Sequence, residues 1–326
     1  MALASQVGTA PLAIPFQEGE LVATRGADGS VVVRNARCAH RGCSLSGGWI
    51  QNGHLTCPYH GWQYDDAGKC VHIPALRPEE SIPAQARVRA LPSQERYGLV
   101  WVWIAGEHPE PTYPLEEIPE LDLPGMAHQP AADLSYLFQG HFSRTVENGI
   151  DPTHAPFTHG KSIGKVDPSA DLTFPHYEIE TRDYALLAQM PIKVKKLRGV
   201  ARWLLQGDSK DIYKAYRFIY PNLLMSLVNF GRFTLISLQA HVPTGPQETL
   251  MLSTNARNFL RNRPLLSNWF NRVTISTGQK IALEDDAIIK GQLPRAVSYS
   301  GSNGRSEEHT SELQSPCNLV CRLLLE

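Results

Sequence analysis

The chain has 326 residues, which at roughly 100–200 residues per domain predicts about two domains. Hydrophobic residues make up 42% and charged residues 19%, and 31 Lys+Arg against 32 Asp+Glu leave it near neutrality. That balance removes the electrostatic reason to expect nucleic acid or an anionic membrane as a main partner. No uncharged apolar run reaches the roughly 18 residues of a membrane helix. The N-terminus lacks a cationic segment followed by an apolar one, so the expectation is a cytoplasmic chain with no membrane segment and no secretory signal.

In chain order, Ser30 to Arg34 and Tyr97 to Ile104 read as short strands of a small all-β domain. Between them Cys38-Ala39-His40 is followed, sixteen residues on, by Cys57-Pro58-Tyr59-His60-Gly61-Trp62. Each short stretch supplies one Cys and one His. Structural zinc more often takes its cysteines as one close pair and its histidines as another. The alternating supply suits a [2Fe–2S] centre, with two thiolates on one iron and two imidazoles on the other. Zinc remains the alternative. Gly42, Gly47, Gly48, Gly53, Gly61 and Gly68 surround the two stretches and supply the tight turns that loops closing on a cluster need.

A Pro-rich linker (Pro109, Pro111, Pro114, Pro119, Pro124) precedes Glu147-Asn148-Gly149-Ile150-Asp151-Pro152-Thr153-His154 and then His159. His154, three residues after Asp151, and His159, five residues further on, at a helix end broken by Pro152 and Pro156, can converge on one point. Two histidines and a carboxylate make the facial triad of a non-haem Fe(II) site with open positions. Strand-like runs follow at Tyr177 to Glu180, Tyr213 to Tyr220, Leu223 to Val228, Phe233 to Val242 and Glu248 to Asn255. The last element, Pro264 to Gln292, reads as a helix with an apolar face of Leu266, Phe270, Val273, Ile281 and Ile288.

At roughly 100° per residue from Ile281, Asp285 falls near 40°, inside that face, with Glu284 near −60° and Asp286 near 140°. A carboxylate in an apolar face is costly unless paired or metal-bound, so Asp285 is the expected third ligand and Asp286 the alternative. Strands followed by one long helix predict an antiparallel sheet wrapped around that helix, an α+β domain. Phe157, Leu224, Met225, Phe230 and Trp269 are candidate cavity residues. His141, His176 and His241 read as structural.

The C-x-H…C-x-x-H-G pattern resembles the Rieske proteins over roughly Glu18 to Gly106. The Asp-x-x-His-x4-His string at Asp151, His154 and His159, with the Glu-Asp-x-x-Ile segment around Asp285, resembles the Rieske non-haem iron oxygenases of monooxygenase and demethylase type. The resemblance implies a [2Fe–2S] cluster on Cys38, His40, Cys57 and His60, and a mononuclear Fe(II) on His154, His159 and Asp285 in a helix-grip domain. It implies that Asp151 bridges an iron-bound histidine to His60 of a neighbouring protomer, hence a homotrimer, and that Asn148 lies near the iron. It also implies a small-molecule substrate, O2, and a ferredoxin or flavin reductase as electron donor.

The respiratory relatives carry a disulfide from the position of Cys43 to one where this chain has Tyr59, so Cys43 is expected to be a free thiol and Cys70 a packing residue. Those relatives also carry a serine where this chain has Trp62, whose absence suggests a lower potential. The string from Arg305 to Ser315 resembles a translated sequencing adapter. The expected division is therefore 1–108, 109–304 and a non-native tail 305–326, with the native C-terminus missing. Without the tail, 29 cations against 28 anions remain, a charge of +1. A Rieske electron carrier and a non-catalytic ligand-binding module are the alternative functions.

Overall fold

In the computed structural model the chain divides into two compact units, Met1–Leu115 and Glu116–Glu326. The structure describes residues 1–16, 19–104, 115, 117–151, 154–160, 162, 178–182, 185–191 and 212–296. Pro109, Pro111, Pro114, Pro152, His176, Tyr177, the boundary expected at 108/109 and the segment 305–326 lie outside the described residues.

The strands of the first unit are β1 (Ala2–Leu3), β2 (Leu12–Phe16), β3 (Gly19–Arg25), β4 (Val31–Asn35), β5 (Trp49–Gln51) and β6 (His54–Thr56). They continue as β7 (Gln63–Tyr64), β8 (Cys70–His72), β9 (Ala90–Leu91), β10 (Ser93–Arg96) and β11 (Leu99–Val102). Three antiparallel sheets result, ordered β1-β11-β10, β2-β3-β4-β9 and β5-β6-β7-β8. The strand expected from Tyr97 begins instead at Leu99, because Tyr97 and Gly98 (φ 58 and 77) form the turn of the β10–β11 hairpin. Two successive left-handed residues match the twist of the flanking strands.

Arg34 ties this unit together. It is 1% exposed and donates to Thr24 Oγ1 at 2.7 Å, the Asp65 carbonyl at 3.1 Å and Asp66 Oδ1 at 2.6 Å. A buried guanidinium is tolerable only when its donors are met in this way. The Asp65–Gly68 turn it grips runs against Val88. An added Cβ on Gly68, at φ +76, would lie 2.1 Å from the Val88 carbonyl oxygen.

The second unit holds β12 (Ala127–His128), β13 (Leu134–Phe138), β14 (Glu178–Arg182), β15 (Ala185–Pro191), β16 (Ile212–Ile219), β17 (Leu223–Phe230), β18 (Phe233–Gly245) and β19 (Glu248–Arg257). They form one eight-stranded antiparallel sheet, ordered β12-β19-β18-β17-β16-β15-β14, with β13 also pairing β19. β14 to β19 are a meander of sequential neighbours. The helix Pro264–Ile289 follows, with a proline in its first turn where no N–H is missed. Sheet plus gripping helix is the architecture expected. β12, β13 and β15 were not anticipated; β12 has only two residues and β13 only five.

The predicted face of the long helix is corrected. Leu266, Val273 and Ile288 are 43%, 42% and 50% exposed, whereas Asn271, Ala282, Asp285, Asp286 and Ile289 are buried. Polar groups with strong partners override apolar periodicity here. Asn271 Oδ1 accepts from the buried Arg257 at 2.6 Å, and Asp286 Oδ1 accepts from the Gln139 N–H at 2.8 Å. Ile289 packs on Gly140, where a Cβ would come within 2.3 Å of its Cγ2.

Gly68→Ala is therefore expected to destabilise the first unit on the order of 3 kcal/mol. Gly53→Ala, with φ +79 but open space around it, should cost only about 1 kcal/mol of backbone strain. Urea unfolding of the two variants, compared for midpoint, checks the difference.

Candidate functional site

Two loops of the first unit share one backbone design. The Cys38 N–H donates to the Cys43 carbonyl at 2.9 Å and the Gly42 N–H to the Cys38 carbonyl at 2.8 Å. The Cys57 N–H donates to the Trp62 carbonyl at 2.8 Å and the Gly61 N–H to the Cys57 carbonyl at 3.0 Å. Gly42 and Gly61 hold matching left-handed φ of 66 and 70, which explains a glycine four residues after each cysteine. The repetition makes Cys43 and Trp62 equivalent positions.

Cys38 and Cys57 are buried at 4% and 2% exposure, while His40 and His60 lie exposed above them with ring centroids 4.6 Å apart. Trp62 stacks on His40 with its ring parallel, centroids 4.7 Å apart. Desolvation, then the charges of His60 and Arg41, lowers the His40 pKa and favours the neutral imidazole a metal needs. Two thiols below two imidazoles fit a mixed-ligand [2Fe–2S] cluster. Cys43 and Cys70 are free thiols outside this group. Cys43 is half-buried with its Sγ turned to the Ser44 carbonyl, and Cys70 is buried in the core beneath.

Tyr64 escaped the sequence reading. Its hydroxyl accepts from the Ala39 N–H at 3.1 Å and lies 3.1 Å from Cys38 Sγ. The oxygen's role as acceptor from Ala39 leaves its own proton for the sulfur. Burial pushes the Tyr64 phenol pKa up, so it remains a donor. The available signal was an aromatic hydroxyl two residues beyond Trp62.

The second cluster is built at the end of the helix Phe142–Ile150. His141 caps its start, its Nδ1 accepting from the Ser143 N–H at 3.3 Å, a structural role as expected. Asp151 caps its end, with its N–H donating to the Glu147 carbonyl at 3.2 Å. Pro156 does not break this helix. It opens a separate turn, Ala155–Thr158, between the two histidines. That single turn brings His154 Nε2 and His159 Nε2 to 3.2 Å.

Asp285 Oδ1, from the long helix, lies 3.4 Å from His154 Nε2 and 3.2 Å from His159 Nε2. The ligand atoms of these three residues all fall within 4.8 Å of one another. Asp285 Oδ1 is buried without a well-oriented hydrogen-bond partner. A buried carboxylate oxygen in that state, facing two imidazoles, fits a divalent cation. Asp286 turns away, accepting from Gln139, from the Tyr136 hydroxyl at 3.3 Å and from Lys290 at 2.7 Å.

Glu284 was also missed. Its Oε2 lies 2.9 Å from His159 Nδ1 and accepts from Ser162 Oγ at 2.7 Å. A carboxylate at Nδ1 fixes the tautomer and turns the Nε2 lone pair toward the site. Its helical angle near the edge of the expected face was the readable sign. Asp151 Oδ2 stands 3.9 Å from His154 Nδ1, with 30% of its side chain exposed. Burial lowers the His154 pKa, but the carboxylates of Asp151 and Asp285 outweigh it and lift the value to about 9.

A cavity of about 340 Å³ opens beside Asp285, between β18 and β19 on one side and the long helix on the other. Alternate residues of β18, Leu235, Ser237, Gln239 and His241, face it, and Asn148 joins its wall. The residues expected to line it do not. Phe157 and Trp269 are 67% and 50% exposed, and Leu224 and Met225 are buried in the sheet outside the lining. Phe230 has no described side chain.

The family model for the Rieske [2Fe-2S] domain matches residues 2–92, and that for the vanillate O-demethylase oxygenase C-terminal domain matches residues 138–320. Aminopyrrolnitrin oxygenase of Pseudomonas fluorescens is 40% identical over 154 residues, 44% of this chain and 39% of that protein. Methylxanthine N1-demethylase of Pseudomonas putida is 35% identical over 153 residues, 46% of this chain and 41% of that one. These matches therefore span well under half the length of the two relatives. A crystal structure of dicamba monooxygenase bound to dicamba has the same fold, with a TM-score of 0.79 at 22% identity, covering 99% of this chain and 94% of that one.

Because His154 is protonated below about pH 9 without metal, a divalent ion must displace a proton to bind. Its affinity is expected to rise roughly 10-fold from pH 7 to pH 8. Titration with Co(II) at the two pH values, starting from metal-free protein, measures this. The sign for folding is opposite: the protonated His154 stabilises the metal-free fold fully below its ordinary 6.5, and this stabilisation is lost as pH rises through about 9. Tyr64→Phe is expected to lower the reduction potential of a cluster on these ligands by roughly 20–60 mV, one sulfur hydrogen bond's worth. Protein-film voltammetry reads the shift.

Proposed function

Starting from the chain's membership of the Rieske oxygenases with a vanillate O-demethylase-type catalytic domain, we propose that it catalyses O2-dependent hydroxylation or oxidative demethylation of a small apolar or aromatic molecule. One observation carries this reading. His154, His159 and Asp285 converge on a buried carboxylate oxygen without a well-oriented hydrogen-bond partner, and Asp285 also lines a cavity, in a chain that also pairs two buried cysteines with two exposed histidines. An electron carrier needs only the latter, and a binding module only the cavity.

In this reading Cys38, His40, Cys57 and His60 hold the [2Fe–2S] cluster, and His154, His159 and Asp285 hold Fe(II). When bound, the two centres supply one-electron transfer and O2 activation, chemistry that side chains lack. The chain's own residues place and tune them. Glu284 holds His159 by its Nδ1–H, so Nε2 faces the site. Trp62, stacked on His40, fixes one imidazole at the surface. Asn148, in the last turn of the helix Phe142–Ile150 and in the cavity wall, stands where it can orient the substrate or a water.

Asp151 serves as the bridge. It sits beside His154 yet keeps part of its side chain exposed, and His60 is exposed in a single chain. Both keep surface exposed on a single chain, which supports a link from His60 of one protomer to Asp151 of the next, and so a homotrimer. Electrons come from a ferredoxin or flavin reductase, and the location is cytoplasmic. The cavity's modest size fits a molecule of one or two rings.

Asp151→Ala is expected to retain both metal centres but to lower substrate-coupled O2 consumption on the order of 100-fold. Oxygen-electrode assays with a reductase, run beside metal analysis of the variant, test this. Undiminished O2 consumption coupled to product would reject Asp151 as the bridge.

A further inference from the structure

We infer that the cavity takes a molecule presenting an N–H or O–H donor to Nε2 of His241, which specifies the substrate class of the oxygenase site proposed above and rests on that reading. His241 read as structural from the sequence. It is 1% exposed, lies on β18 and lines the cavity. Its backbone is clamped to Asn222. The His241 N–H donates to the Asn222 carbonyl at 2.9 Å, and Asn222 Nδ2 donates back to the His241 carbonyl at 2.8 Å.

The ring's proton can be placed by counting donors. Thr145 Oγ1 donates to the Phe142 carbonyl at 2.8 Å and lies 2.9 Å from His241 Nδ1. A threonine hydroxyl has one proton. Spent on Phe142, it leaves Oγ1 as the acceptor, so Nδ1 must carry hydrogen. Nε2 then holds a lone pair, and it is buried with no hydrogen-bond partner among the described residues. The opposite tautomer would bury an unpaired N–H, a rarer and costlier state.

Burial also pulls the His241 pKa down to about 3, so the ring stays neutral at physiological pH and Nε2 stays an acceptor. Three polar neighbours in the wall pair within the protein. Ser237 and Ser253 hydroxyls pair at 3.1 Å, and Asn255 Nδ2 donates to the Ala132 carbonyl at 2.8 Å. Gly149, another residue of the lining, lies beside the ring: a Cβ there would meet Leu224 Cδ1 at 2.4 Å and stand 3.9 Å from His241 Nε2. An amine, phenol or ring N–H completes Nε2. A carboxylate could be held only if the ring changed tautomer and Thr145 gave up its bond to Phe142.

Isothermal titration of the full chain with indole and with benzofuran, which replaces the N–H by oxygen at nearly the same shape, tests the inference. Indole is expected to bind roughly 3–10-fold more tightly, one neutral hydrogen bond's worth, and His241→Phe should bring the two affinities together. The wild-type comparison stands even if that variant misfolds. Equal binding of both compounds by the wild-type chain would overturn the donor requirement and leave the oxygenase reading intact. Binding of neither would overturn it together with the assignment of the cavity as the substrate site.

Discussion

The second unit depends on the convergence of His154, His159 and Asp285. Bringing a carboxylate and two imidazoles out of water, with Asp285 Oδ1 left without an oriented partner, is unfavourable in an apolar interior. The chain holds them there by rigid means: one helical turn between the histidines, and a long helix whose Asp286 is fastened to β13 and the residue after it. A positive ion at the convergence point would relieve the desolvation. The raised His154 pKa is the same frustration seen in the metal-free state, where a proton stands in for the ion.

Around that point the fold gives several buried polar groups firm partners. Arg257 is met by Asn271, Ser267 and the Phe259 carbonyl. His159 is met by Glu284 at its outer nitrogen. Among the buried side-chain atoms left without a hydrogen-bond partner are His154 Nδ1, Asp285 Oδ1 and His241 Nε2, and the last two belong to residues of the cavity wall. In a native structure, unsatisfied buried atoms are few and call for a ligand or a function. The two in the cavity wall are the ones that the proposed ion and substrate would complete.

Much of this was legible in the residues. Cysteines and histidines at fixed short spacings announce themselves, and Asp285 was singled out because an acid in an apolar helix face is conspicuous. What stayed hidden depended on partners distant in sequence. Tyr64 reaches Cys38 only after β7 pairs with β6, and Glu284 reaches His159 across 125 residues. The buried face of the long helix was misjudged because Asn271 and Asp286 are buried through hydrogen bonds that periodicity does not register. The cavity residues were misjudged because hydrophobicity selects core and exposed aromatics alike, while this cavity is walled by alternate residues of β18 and β19.

The central claim is that one chain carries two distinct iron centres with separate tasks. Iron and acid-labile sulfide analysis of anaerobically reconstituted protein, with EPR after one-electron reduction, measures it most directly. The account predicts about three irons and two sulfides per chain, the reduced cluster giving a signal characteristic of mixed histidine and cysteine ligation. About two irons and two sulfides, with no further iron retained at His154, His159 and Asp285, would contradict it.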